Sequence, residues 1–157
     1  MGAADSPDSA AVERLPPCVK SFLKTEARWR ATSHCDNAGP PPSLTAETRR
    51  AALAILDAAM TPAPPDQVKR LLGELKLLTV PKSGDMVEEI KAQILIYARK
   101  LADYPADAVL TVLRTQPDQS KFWPAWAELK ERLDARTWRR RDARKALTSL
   151  TAAMPTT

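Results

Sequence analysis

Residues 104–134 read YPADAVLTVLRTQPDQSKFWPAWAELKERLD, and the prolines in this stretch decide the fold class. Proline is favoured in the first turn of a helix, where a backbone N–H has no intrahelical acceptor to lose. Pro105 therefore predicts the start of a short helix. The buried side of that helix is formed by Val109, Val112 and Leu113. A turn is predicted at residues 116–120, and a longer helix then begins at Pro124.

Aromatic residues are concentrated where the longer helix starts. Phe122, Trp123 and Trp126 are three of the eight aromatic residues of the chain and fall within five positions. A hydrophobic corner explains this cluster, because Pro124 fixes the direction of the chain and a preceding residue can pack on the first helical turn. Aromatic side chains also dominate the energetics of protein interfaces, so a partner-binding surface is the alternative. We favour the structural interpretation.

Three further helices are predicted upstream of this stretch. The first is capped by Thr45 and ends near residue 60. The second starts at Pro65, and the third follows a cap at Ser83 or Asp85. The apolar face of the second helix comprises Val68, Leu71, Leu72, Leu75 and Leu78. That of the third comprises Val87, Ile90, Ile94, Tyr97 and Leu101. Such stripes are typical of helices that pack together in a bundle.

The composition favours a helical protein with flexible ends. Glycine occurs four times and proline fourteen times, and 44% of the 157 residues are hydrophobic, which is enough for one compact core. We therefore predict an all-α fold, a small bundle of about five helices over residues 44–134. Residues 1–43 are predicted to be flexible, disordered up to about residue 17 and then containing a short amphipathic helix. Residues 135–157 are predicted to form a basic C-terminal helix or tail.

The C-terminal segment differs from the bundle in its charge. The apolar face of the longer helix, continued beyond Asp134 at helical spacing, reaches Arg136, Arg140 and Arg144. Such a stretch is not expected to pack on an apolar body. The helix is predicted either to project as a basic arm or to end near Asp134 before a basic tail, and the segment is exposed in both cases.

This segment is the candidate binding site. The candidate nucleic-acid or partner-binding residues are Arg136, Trp138, Arg139, Arg140, Arg141, Arg144 and Lys145. An exposed indole among arginines can stack on a base while the cations neutralise phosphates. The same charge could bind an acidic protein surface, or remain a solvated face with Trp138 folded back on the bundle. These three interpretations stay open.

The chain lacks the motifs of common catalytic sites. A phosphate-binding loop needs clustered glycines before a Lys-Ser or Lys-Thr pair, and the four glycines are isolated. His34, Cys35 and the distant Cys18 offer at most three ligands for a metal ion. His34 is the single histidine, and it lies in a proline-flanked linker where nothing orients a base beside a nucleophile. We expect no enzymatic activity, no cofactor and no small-molecule substrate.

The sequence also predicts a cytoplasmic location. No apolar run approaches the roughly 20 residues needed to span a bilayer. The first fifteen residues contain acids in place of the hydrophobic region of a secretion signal. The two cysteines form neither a CxxC pair nor a disulfide framework, which fits a reducing compartment. We expect no membrane association.

Three short motifs resemble a known family. They are Tyr104-Pro105-Ala106-Asp107, then Lys121-Phe122-Trp123-Pro124 after a short helix, and then Ala127-Glu128-Leu129. Their order resembles the helical domain of phage helicase loaders and helicase inhibitors, and of phage and prophage replication-region proteins. The likeness covers about residues 85–134 and extends more loosely back to Leu44.

The resemblance implies a helical domain without ATPase activity, joined to a flexible segment that contacts a replicative DnaB-type helicase and delivers it to DNA. It also implies a structural role for one set of residues, which would hold the bundle together without contacting the helicase. That set is Tyr104, Pro105, Phe122, Trp123 and Pro124.

Three functions follow from these observations. The first is a non-catalytic accessory protein of phage or prophage DNA replication that binds a replicative helicase and loads or inhibits it. The second is a DNA-binding or regulatory module in which the basic segment neutralises phosphates and Trp138 stacks on single-stranded DNA. The third is a helical adaptor or inhibitor of a host protein with Phe122 and Trp126 as anchors.

Overall fold

The computed structural model describes residues 7–32, 43–81 and 87–149. Over these ranges the chain forms seven α-helices: α1 Pro7–Glu13, α2 Pro17–Thr32, α3 Ala46–Ala59, α4 Pro65–Leu78, α5 Val87–Leu101, α6 Ala106–Gln119 and α7 Trp126–Ser149. The all-α prediction is confirmed, with seven helices in place of about five. None of these helices has the length and apolarity needed to cross a membrane.

The helices form two compact units, each with its own core. The central unit is Met60–Thr137 and holds α4, α5, α6 and the first half of α7. The terminal unit is formed by Met1–Ala59 and Trp138–Thr157 and holds α1, α2, α3 and the second half of α7. The sequence predicted one bundle over residues 44–134. The structure assigns α3 to the terminal unit, because its buried residues cluster with those of α2 and α7.

The core of the central unit largely follows the predicted apolar stripes. The buried residues include Val68, Leu71, Leu72 and Leu75 of α4 and Ile90, Tyr97 and Leu101 of α5. Leu78 was predicted on the same stripe but is 67% exposed. The reason is that α4 ends at Leu78 and Thr79 turns to an extended conformation, with its hydroxyl donating to the Leu75 carbonyl oxygen at 2.7 Å.

Helix α6 extends further than predicted. A turn was expected at residues 116–120, but the helix continues through Pro117 to Gln119. Gln116 is buried, and its side-chain oxygen accepts a hydrogen bond from the Arg132 guanidinium of α7. This tertiary contact explains why polar turn-forming residues remain helical.

The terminal unit contains most of the segment that was expected to be flexible. Both α1 and α2 contact α3. The buried core of the unit comprises Leu15, Val19, Phe22, Ala52, Leu56, Ala143 and Leu147. The prediction of a disordered lead is therefore wrong for residues 7–17, while the amphipathic helix that was predicted to follow it is present as α2. The apolar residues of this segment are few, and they are stabilised by packing on α3 and α7.

One cap was predicted correctly, and several other predictions lie outside the described residues. The backbone N–H of Thr48 donates to the Thr45 hydroxyl at 3.2 Å, which confirms Thr45 as the cap of α3. His34, Cys35, Ser83 and Asp85 fall outside the described ranges. Cys18 is an exposed free thiol on α2.

Candidate binding surface on the C-terminal helix

The seven predicted binding residues lie on one continuous helix with a buried face. Helix α7 runs without interruption from Trp126 to Ser149, so there is no break near Asp134. Within the terminal unit, Arg140 is 2% exposed, Ala143 5% and Leu147 0%. These three positions are spaced i, i+3 and i+7 and therefore share one face. The prediction that the whole segment is exposed is wrong for this face.

Arg140 is a structural residue in this arrangement. Its Nη1 donates to the carbonyl oxygen of Ala59, the last residue of α3, at 2.8 Å. The final carbonyl groups of a helix lack intrahelical donors and carry a partial negative charge. A buried guanidinium there satisfies an otherwise unpaired acceptor and is stabilised by the helix dipole. Arg140 is thus removed from the set of binding candidates.

The remaining cations of the segment differ in how available they are. Arg144 Nε lies 2.7 Å from Asp57 Oδ1, and both side chains are about half exposed. Arg141 is partly buried, and Arg136 belongs to the central unit, where it is also partly buried. Arg139 and Lys145 are exposed. The folded segment therefore presents less uncompensated positive charge than its sequence suggests.

Trp138 is the most prominent apolar group of the segment. The side chain is 57% exposed, and the guanidinium carbon of Arg139 lies 5.4 Å from the ring centroid. This is the geometry of a cation–π contact. The indole is thus exposed to solvent beside an arginine, in contrast to the interpretation in which Trp138 folds back on the bundle, and the cation covers part of one ring face.

Trp138 lines a groove that was not anticipated from the sequence. The groove has a volume of about 660 Å³ and lies in the terminal unit between α7 and the α1–α2 segment. From α7 it is lined by Trp138, Arg139, Asp142 and Ala143. From α1 and α2 it is lined by Val12, Glu13, Pro17, Lys20, Ser21, Leu23, Lys24, Glu26 and Ala27. We call this the Trp138 groove.

Among the described residues that line the Trp138 groove, the charges balance one another. The bases are Lys20, Lys24 and Arg139, and the acids are Glu13, Glu26 and Asp142. Lys20 Nζ also binds the backbone carbonyl of Glu13 at 3.0 Å and its carboxylate at 3.2 Å. A neutral lining with an exposed indole differs from the strongly basic channel that tracks a nucleic-acid backbone. The signal in the sequence was the helical spacing of Lys20, Lys24 and Ala27 on α2.

The residues of the family resemblance lie in the central unit, and most are buried. Tyr104, Pro105, Trp123 and Pro124 are all buried. The Tyr104 hydroxyl donates to Asp134 Oδ1 at 2.8 Å, and Trp123 Nε1 donates to Gln93 Oε1 at 2.6 Å. Both polar aromatic groups therefore have partners, as buried Tyr and Trp side chains usually do.

Tyr97 joins the start of α7 to α5. Its ring stacks on Trp123 with centroids 5.9 Å apart, and it meets the half-buried Trp126 at 5.5 Å. Its hydroxyl donates to the Pro124 carbonyl at 3.1 Å. The aromatic corner is thus largely a packing feature, and Lys100 of α5 covers the Trp126 ring at 4.9 Å.

Phe122 departs from the rest of this corner. The side chain is 37% exposed, with Lys121 Nζ 5.2 Å from its ring centroid. The backbone of Val80, which is itself 49% exposed, pairs with the Phe122 segment in an isolated bridge. Leu77 and Leu78 are exposed just before Val80. We call these four exposed side chains, which are neighbours in sequence or across the Val80–Phe122 bridge, the apolar patch of the central unit. The exposure of Phe122 does not support a purely structural role for it.

The pKa values of Glu88 and Arg132 are lowered by their surroundings. The pKa of Glu88 is lowered by a hydrogen bond from Lys91 and by the charge of that lysine. The pKa of Arg132 is lowered by partial burial and by the nearby charge of Arg136. In the described ranges no group of three or more His, Cys, Asp or Glu side chains is arranged to hold a metal ion.

Comparison with known proteins adds no relative. No family model matches the chain, and neither a curated protein nor a solved structure matches it.

Proposed function

We propose that this chain is a non-catalytic accessory protein of phage or prophage DNA replication that binds a replicative DnaB-type helicase. The observation that carries the proposal is the exposed indole of Trp138, held beside Arg139 on the wall of a groove. A large aromatic side chain in a concave, mainly apolar site has the chemistry of an interface anchor. Binding would alter where or whether the helicase engages DNA, without a chemical step on the chain itself.

The choice of helicase as partner rests on the sequence resemblance. Its motif residues Tyr104, Pro105, Trp123 and Pro124 are buried in the central unit, which is compatible with the structural role that the resemblance implies. The central unit would then be the scaffold. The partner contact would be made by the terminal unit, through the Trp138 groove.

A DNA-binding module is the second candidate function. It is favoured by the Trp138–Arg139 pair, since an indole next to a guanidinium can stack on a base beside a phosphate. Against it stand the burial of Arg140 and the pairing of Arg144 with Asp57, which reduce the cations available for phosphates. The balanced charge of the groove is a further argument for a protein partner.

The test is a titration of the hexameric host helicase, with and without ATP, into the wild-type chain and two aromatic variants. Trp138→Ala should weaken helicase binding at least tenfold, about 1.4 kcal/mol, because an interface anchor is lost. Phe122→Ala is the matched control, since it removes an exposed aromatic ring from the apolar patch of the central unit. The control should bind as the wild type does.

Other outcomes would decide between the functions. Failure of the wild-type chain to bind the helicase in both nucleotide conditions rejects the proposal. Binding of a labelled single-stranded oligonucleotide that is lost in Trp138→Ala and weakens steeply with salt would establish the DNA-binding alternative. Loss of helicase binding in Phe122→Ala but not in Trp138→Ala would move the contact to the apolar patch.

A further inference from the structure

The side of α2 that lines the Trp138 groove is long enough to contact a bound helix of about three turns. Pro17, Lys20, Ser21, Lys24 and Ala27 line the groove from α2. Their spacing of i, i+3, i+4, i+7 and i+10 places them on one face over three turns. At 1.5 Å per residue this face is about 15 Å long. An extended strand of that length would present only about two side chains to the groove, whereas a helix of three turns would present several.

The floor of the groove is apolar, and no other described residue of the terminal unit covers it. Leu23 is half-buried and packs against the core of the unit, and Ala27 is exposed. Together with Val12, Ala143 and the Trp138 ring they form a surface on which an aliphatic face can pack. Among the described lining residues a nucleotide base would find a single exposed ring, and the phosphates would meet the carboxylates of Glu13 and Asp142.

Among the described residues, one charged side chain of the groove, Lys24, lacks an ion-pair partner. Lys20 is held by Glu13, and Arg139 lies over Trp138. Glu26 and Asp142 each take part in a further interaction. Lys24 is exposed and makes no ion pair with any residue in the described ranges. A carboxylate on the bound molecule would give Lys24 an ion-pair partner.

We infer that the Trp138 groove binds an amphipathic helix of about three turns from the partner protein, with its aliphatic face on Trp138 and Leu23 and an acidic residue beside Lys24. The inference rests on the proposed function for the identity of the partner, namely the helicase. Its chemistry is independent of that identity, so peptides can test it.

The experiment titrates the isotope-labelled full chain with two designed peptides of about 15 residues, a length at which isolated helices begin to be stable. Both carry leucines at helical spacing, and they differ in having glutamate or lysine beside the leucine face. The readout is the indole N–H resonance of Trp138, assigned by its loss in Trp138→Phe. The glutamate peptide is expected to shift this resonance and to bind more tightly than the lysine peptide.

Charge reversal identifies the contact. Lys24→Glu should reverse the preference, changing the ratio of the two dissociation constants by roughly two- to fivefold per exposed ion pair. Lys145→Glu is the matched control, because Lys145 is an exposed lysine of the same unit that does not line the groove. This control should keep the preference for the glutamate peptide.

Three results would overturn the inference. They are the absence of a Trp138 shift with either peptide, an equal change of preference in both charge-reversal variants, and a larger Trp138 shift with an oligothymidine than with the peptides. A concentration-dependent Trp138 shift without added peptide would assign the groove to a second copy of the chain and also reject the inference. Helicase binding without peptide binding would leave the proposed function intact. Peptide binding without helicase binding would reject only the identification of the helicase as the partner.

Discussion

Neighbouring arginines on α7 have opposite environments. Arg139 is exposed beside Trp138, whereas the next residue, Arg140, is only 2% exposed. Successive helical residues are rotated by about 100°, so one points to solvent while the next points to α3. The carbonyl of Ala59 supplies the acceptor that makes burial of Arg140 tolerable. Identical residue types thus have different roles, one at the surface and one in the core.

Replacing Arg140 tests this difference. Arg140→Met should lower the free energy of unfolding by about 1–3 kcal/mol, because the partly buried Ala59 carbonyl loses its donor. Arg139→Met should change it by less than about 0.5 kcal/mol, as expected for an exposed position. Urea unfolding followed by circular dichroism provides both values. Equal losses in the two variants would contradict the structural role of Arg140.

The contact between Glu88 and Lys91 predicts a pH dependence at the start of α5. Lys91 Nζ donates to the Glu88 carboxylate at 2.8 Å and lowers its pKa below the usual 4.5. A lowered pKa means that the contact stabilises the folded state at pH values above the unfolded pKa. That contribution is lost as the pH falls through the folded pKa.

An NMR titration of the Glu88 carboxyl group measures this effect. Its pKa should rise towards the usual value in Lys91→Ala, since both the hydrogen bond and the nearest charge are removed. Lys76→Ala is the control, because it removes only a smaller Coulombic contribution and should raise the pKa less. An unchanged Glu88 pKa in Lys91→Ala would show that the contact is not formed in solution.

The helices of this chain start at residues that local chemistry specifies. Thr45 caps α3 through its hydroxyl, and Pro65 occupies the first turn of α4. At the start of α7, the carboxylate of Glu128 accepts the backbone N–H of Ala125 at 3.1 Å. This contact satisfies one of the N–H groups that a helix start leaves unpaired. Local signals therefore place the starts of these helices to within a few residues.

The Thr45 cap can be tested by two substitutions. Thr45→Ala should destabilise α3 by about 1 kcal/mol, the typical value for the loss of a side-chain cap. Thr45→Ser keeps the hydroxyl and should retain most of the stability. Hydrogen exchange of the first α3 amides and the free energy of unfolding would report the change. A loss in Thr45→Ser as large as that in Thr45→Ala would show that the hydroxyl does not cap the helix.

At the scale of the whole molecule, the described residues form two cores, and helix α7 contributes to both. The core of the central unit is formed by residues between Ala63 and Leu133. Ala143 and Leu147 of the same α7 belong to the core of the terminal unit. A truncation after Asp134 would therefore remove core residues of the terminal unit together with the basic surface. Point substitutions on the exposed face are the cleaner test of binding.

The separation of the cores predicts that residues 60–137 fold without the rest of the chain. The isolated fragment should retain helical circular dichroism and a cooperative unfolding transition, because its hydrophobic core is complete. Leu72→Ala within the fragment should lower the free energy of unfolding by about 2–5 kcal/mol, since Leu72 is fully buried. A fragment that shows no cooperative transition would contradict the independence of this core.

The sequence by itself determined the all-α class, the proline-marked start of α4 and most of the central core. The alternation of proline stops with stripes such as Val68, Leu71 and Leu75 is a local pattern, and local patterns fix helix type and helix face. The resemblance also predicted a structural role for Tyr104 and Trp123, each of which stands beside a proline. In the structure both side chains are buried and hydrogen-bonded.

Only the tertiary structure decided the conformation of residues 7–17 and the burial of one face of α7. Residues 7–17 bury Ala11 and Leu15 because α3 and α7 provide apolar partners that are distant in sequence. Arg140 is buried because the end of α3 provides a carbonyl acceptor, and the Trp138 groove exists because α2 lies beside α7 in the terminal unit. Burial of a marginally apolar or charged residue depends on which partner meets it, and helical periodicity specifies a face but not its partner.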